Sequence, residues 1–141
     1  MSVAVGESFG GTIRYTSAEI AEFARLSGDE NPLHYDAAAA AKSRFGGIIA
    51  CGPQTTSRMM GMVATHFSRG SSMVGIEFSF RFRAPVRPHQ TIEIAWRVTE
   101  VVDKPRLGGQ VVTLEGTASD SSGAPLLESR GAILVTPGYR T

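Results

Sequence analysis

An acid and a base, Asp29 and His34, sit five residues apart in the stretch Gly28-Asp29-Glu30-Asn31-Pro32-Leu33-His34. This stretch is not regular helix. Gly28 suits a left-handed cap on a preceding helix, while Pro32 has a fixed φ, lacks an amide donor and holds Asn31 out of the α region. A loop this stiff can place a carboxylate and an imidazole on either side of one water or one substrate carbon, which is what general acid/base chemistry needs. The same residues also read without chemistry, with Asp29 capping the next turn and His34 ending a loop.

The flanking elements have to position this pair. Upstream, Val5 to Tyr15 alternates through Phe9, Ile13 and Tyr15 and is broken by Gly10-Gly11, the pattern of an edge strand or extended entry segment. Thr16 or Ser17 then caps a helix with Glu19 and Glu22 near its positive end and Ile20, Phe23, Ala24 and Leu26 on one apolar stripe. Gly28 stops that helix. Downstream, Asp36 caps a short alanine-rich turn through about Lys42.

The apolar connector Phe45 to Ala50 leads to Cys51-Gly52-Pro53, with glycine at the cap and proline at the first helical position, a helix start. The predicted helix runs from about Pro53 to Phe67. Met59, Met60, Met62, Val63, His66 and Phe67 leave it little strongly polar face, so it is expected to be buried on most sides, with Gly61 admitting a strand close to its backbone.

The remainder reads as strand. Met73 to Ala84 places Ile76, Phe78, Phe80 and Phe82 on one face, and Thr91 to Val102 does the same with Ile92, Ile94, Trp96 and Val98. Val111 to Ser119 and Leu126 to Thr136 follow, separated by the Asp120-Ser121-Ser122-Gly123 turn. One buried helix followed by four long antiparallel strands predicts an α+β domain in which a curved sheet wraps the helix.

Composition narrows the function classes. The 141 residues suit one domain spanning 1–141, and 42% hydrophobic with 19% charged content is that of a globular protein without a disorder signature. No apolar run approaches membrane-spanning length and no leader pattern is read at Met1 to Gly6, so a cytoplasmic protein without membrane partners is expected. A net charge of +1 argues against a nucleic-acid partner. The single cysteine, Cys51, excludes an intrachain disulfide and a cysteine-based metal cluster, and three scattered histidines offer no ligand spacing, so no metal is expected.

The run Phe23 to Asp36, followed by Ala40-Ala41-Lys42, Phe45 and Gly47-Ile48-Ile49-Ala50-Cys51-Gly52, resembles the hydratase 2 motif of the MaoC-like (R)-specific enoyl-CoA hydratases. The resemblance implies the hot-dog fold and a homodimer or dimer of dimers. It implies an acyl-CoA substrate with no cofactor beyond that thioester, and reversible hydration of a trans-2-enoyl-CoA to an (R)-3-hydroxyacyl-CoA. Residues matching Asp29 and His34 are the family's catalytic pair, the residue matching Asn31 helps to hold the loop, and the glycine matching Gly52 supplies an oxyanion contact. That last role agrees with the physics of a helix start, where unpaired N–H groups and the dipole favour an anion.

Two positions depart from the family pattern. Cys51 stands where relatives carry histidine; a thiol at a helix N-terminus can become nucleophilic, but with no base evident beside it the residue reads as a small buried filler of the substrate pocket. Met60 stands near a serine of some relatives and suggests an altered acyl pocket. Arg81 and Arg83 are candidates for CoA phosphates against a default of a solvated sheet face, and His66 reads as a satisfied core histidine. The competing functions are a hot-dog acyl-CoA thioesterase, disfavoured because Pro53 to Phe67 lacks any Asp or Glu, and a non-catalytic acyl-CoA-binding subunit.

Overall fold

The computed structural model describes residues 2–138. Strand β1 (Ser8–Ile13) precedes helix α1 (Ser17–Ser27), a 3-10 turn (Pro32–His34) and helix α2 (Ala37–Lys42). The long helix α3 (Gly52–Phe67) is followed by β2 (Ser71–Phe82), β3 (Ile92–Lys104), β4 (Gly109–Ser119) and β5 (Pro125–Pro137). All strand pairs are antiparallel, in the order β1-β3-β4-β5-β2. This is the α+β architecture expected, a five-stranded sheet packed around α3.

Local chemistry accounts for the helix ends. Thr16 and Glu19 form a reciprocal capping box, Gly28 ends α1 at φ 75°, and the Asp36 carboxylate accepts from the Ala39 N–H at 3.1 Å. At α3 the cap is Cys51 and Gly52 is the first helical residue, one position earlier than the sequence reading placed it.

The core lies between one face of α3 and the sheet. Met59, Val63 and Phe67 pack into a cluster with Ile92, Ile94, Trp96, Val98, Val112, Leu114, Ile133 and Val135. Strand β3 buries every second residue from Ile92 to Val98, as its alternation predicts. The Trp96 indole N–H donates to the Met59 carbonyl at 3.0 Å and pins helix to sheet. Gly116 makes room for that indole, since a Cβ there would stand 2.6 Å from Trp96 Cε3.

Several expectations are corrected. α3 buries only the face carrying Gln54, Thr55, Met59, Val63 and Phe67; Met60 and Gly61 are exposed, and among the described residues no atom outside the helix's own neighbouring turns lies within 4 Å of where a Gly61 Cβ would be. No strand therefore packs directly on Gly61; Phe9 and Gly10 of β1 face it across an open cleft. Strand β1 runs through Gly10-Gly11 instead of breaking there, and Gly10 is required because a side chain would run into the Ile94 carbonyl. In β2 the predicted apolar stripe is interrupted by a bulge between Gly75 and Glu77, so Phe78 and Phe80 are half-buried while Ile76 and Phe82 are exposed. Edge placement of β2 leaves those side chains without a neighbouring strand to cover them.

Candidate active site

The loop after α1 is held by its own side chains. Asp29 Oδ1 accepts from the Asn31 N–H at 2.9 Å, and Asn31 Oδ1 accepts from the Leu33 N–H at 3.1 Å, capping the 3-10 turn that ends in His34. The Tyr35 hydroxyl donates back to the Glu30 carbonyl at 2.8 Å. Asn31 thus caps the turn that carries His34. The other Asp29 oxygen, Oδ2, is 3.2 Å from His34 Nε2.

The imidazole is fixed from behind. His34 is 5% exposed, and its Nδ1 lies 2.7 Å from the Ile49 carbonyl oxygen. A carbonyl only accepts, so Nδ1 carries the hydrogen and Nε2 is the ring nitrogen that faces Asp29. Ile49 is itself held by its N–H donating to the Leu33 carbonyl at 3.1 Å, and Ala50 by its N–H donating to the Val86 carbonyl at 2.8 Å. The connector before α3 is therefore both the anchor of the histidine and the lead into the helix start.

A cavity of about 490 Å³ opens here, lined by His34, Cys51, Gly52, Phe82, Val86 and Leu127 among others. Asp29 is not on its wall but adjoins His34, which is. Gly52, as the first residue of α3, presents an N–H that has no partner within the helix. The cavity wall also carries Arg44, whose guanidinium stacks on the Phe45 ring at 4.8 Å, and Arg83, which is bound to Glu128 at 2.9 Å. Arg81 and Met60 are exposed and lie outside this cavity's lining, so the structure does not bring Met60 to the pair.

Cys51 is 2% exposed, and its sulfur lies within 4.8 Å of donor atoms of both Asp29 and His34. This corrects the reading that no base stands beside it. The thiol is nonetheless pushed up from its ordinary pKa, first by burial and then by the negative Asp29 carboxylate, so it is held protonated.

His66 is half-buried, with Nε2 2.8 Å from Glu7 Oε2 and its ring stacked on Phe9 at 4.0 Å, a satisfied histidine remote from this cavity's lining. Sequence reasoning missed Phe82, Tyr35 and the Ile49 carbonyl as parts of the site. Phe82 carried a signal as the last aromatic of its strand; a main-chain carbonyl carries none.

An antiparallel sheet wrapped on a helix defines a hot-dog protein, here with His34 and the helix-heading Gly52 on one cavity and Asp29 against His34. Residues 3–119 match the model of the MaoC-like domain, and the chain belongs to that family. It is 32% identical over 111 residues to a 3-hydroxybutyryl-CoA dehydratase of Methylorubrum extorquens, covering 73% of this chain and 70% of that protein. It is 35% identical over 94 residues to an (R)-specific enoyl-CoA hydratase of Aeromonas caviae, covering 66% of this chain and 70% of that one. The solved structure of the (R)-hydratase from A. caviae involved in PHA biosynthesis superposes with a TM-score of 0.85 at 27% identity, over 96% of this chain and 98% of that chain.

Proposed function

We propose that the protein reversibly adds water to a trans-2-enoyl-CoA, giving an (R)-3-hydroxyacyl-CoA, with Asp29 and His34 as the catalytic pair. The observation that carries the reading is the 3.2 Å approach of His34 Nε2 to Asp29 Oδ2, with Nδ1 committed to the Ile49 carbonyl. One water hydrogen-bonded to both atoms is activated by the pair: as its oxygen attacks Cβ its proton passes to Nε2, with the Asp29 carboxylate stabilising the imidazolium, and Nε2 then delivers that proton to Cα. Both groups approach from one side of the double bond, which makes the addition syn. The enolate oxygen formed on the thioester is stabilised by the Gly52 N–H and the positive end of α3. The R configuration is carried from the named relative.

The substrate is the only cofactor-like group the mechanism uses; every proton moves between water, His34 and the acyl chain. Two chains pair in this reading through β2, whose edge position leaves Val74 and Ile76 exposed at 58% and 54%. A cytoplasmic setting fits a CoA thioester, and no helix among the described residues is long and apolar enough to cross a membrane.

The test is loss of enoyl-thioester absorbance with crotonyl-CoA and with longer, branched and carboxylated enoyl-CoAs, run beside a free-thiol assay and chiral analysis of the product. Loss of absorbance without thiol release, giving the R product, is expected. Thiol release identifies a thioesterase, and binding without turnover across the panel identifies a non-catalytic acyl-CoA binder.

A further inference from the structure

Three donors of different chemistry converge beside the cavity. One ligand atom each from Asp29, His34 and Cys51 lie within 4.8 Å of one another, and the Asp29–His34 pair is already at 3.2 Å. On a tetrahedral zinc ion, donors held at the usual bond lengths stand about 3.3–3.6 Å apart. The carboxylate and imidazole are thus close to ligand spacing, and the sulfur, within 4.8 Å of both, is the third donor around the same point.

The histidine is also held by its other nitrogen. A histidine that ligates through one nitrogen donates its other N–H to a carbonyl or carboxylate, which fixes the tautomer. His34 does this through Nδ1 to Ile49 at 2.7 Å, leaving the Nε2 lone pair on the side of the cluster. His34 and Cys51 both line the 490 Å³ cavity, which supplies the open fourth position that exchangeable zinc sites keep. The donor set of imidazole, thiol and carboxylate selects zinc-like cations over magnesium or calcium, which take oxygen ligands.

We propose that Asp29, His34 and Cys51 form a reversible binding site for a divalent zinc-class cation, and that occupancy inhibits the enzyme. Coordination forms a metal–sulfur bond and releases the thiol proton to solvent; no oxidation or reduction is involved. The ion takes the Nε2 lone pair and the carboxylate oxygen that the catalytic water requires, so the metal and the reaction compete for the same atoms. Inhibition rests on the hydratase reading, whereas binding stands on the geometry alone.

Cobalt(II) titration of the purified, metal-free full chain tests the site, because cobalt bound to a thiolate shows a near-ultraviolet charge-transfer band. One equivalent per chain is expected to raise that band and zinc to displace it. Cys51→Ser should abolish the band, and Cys51→Ser and Asp29→Asn should each weaken zinc binding by at least about tenfold. Circular dichroism of the variants separates lost ligands from lost fold. In the wild type, zinc should suppress crotonyl-CoA hydration and EDTA should restore it. Absence of the band, or cobalt binding unchanged in Cys51→Ser, overturns the site. Full activity with one zinc bound overturns inhibition. A band in a protein inactive without metal supports the site and counts against the proposed reaction only.

Discussion

Gly52 and Phe82 are in steric register: a Cβ added to Gly52 would stand 2.7 Å from Cε1 of the Phe82 ring and 3.0 Å from Cζ. The first residue of α3 and the last of β2 therefore meet at the cavity, and the phenyl ring, 59% exposed, stands beside the residue whose N–H is proposed to hold the enolate. Gly52→Ala leaves the N–H in place but pushes the ring or the thioester away, and should lower kcat/KM about tenfold or more, some 1.4 kcal/mol of transition-state stabilisation. The loss should be smaller in a Phe82→Ala background, where the ring is gone. Equal losses in both backgrounds would show that the two positions are not coupled.

Two glycines separate a crowded position from an open one. Gly116→Ala drives a methyl group into the buried Trp96 indole, which the Met59 carbonyl holds in place, and should destabilise the fold by about 1–3 kcal/mol. Gly61→Ala, on the exposed side of α3 with no other element described within 4 Å of the added methyl, should stabilise by about 0.5–1 kcal/mol through helix propensity. Urea unfolding of both variants checks the contrast. Destabilisation at Gly61 would mean that something covers that side of the helix.

Burial and the Asp29 carboxylate both raise the Cys51 pKa, so its thiolate fraction grows only above the pH range of an ordinary cysteine. Alkylation by iodoacetamide should be much slower than for a free thiol at neutral pH and climb as pH rises, with Asp29→Asn reacting faster at a given pH. Rapid alkylation of the wild type at neutral pH would contradict the placement of this sulfur.

Much of this was legible in the chain because the signals were local. Thr16 with Glu19, Gly28, and Asn31 before Pro32 specify helix, stop and turn within a few residues, and the structure puts each where those rules say. Strand β3 was readable because both flanking strands keep it in the sheet interior. Strand β2 was not, because edge position and the bulge at Ile76 are decided by pairing with β5, more than fifty residues away in sequence. The exposure of Gly61 and Met60 depends on which side of α3 the sheet covers. Likewise the Asp29–His34 separation is set by a short loop, whereas the Ile49 anchor and the nearness of Cys51 arise from where the connector is laid down.

The most direct measurement of the central proposal is kcat for crotonyl-CoA hydration by wild type, Asp29→Asn and His34→Gln, with melting temperatures taken on the same preparations. The pair predicts a loss of about 10²–10⁴-fold in each variant with the fold retained. Near-normal turnover in both folded variants would contradict it.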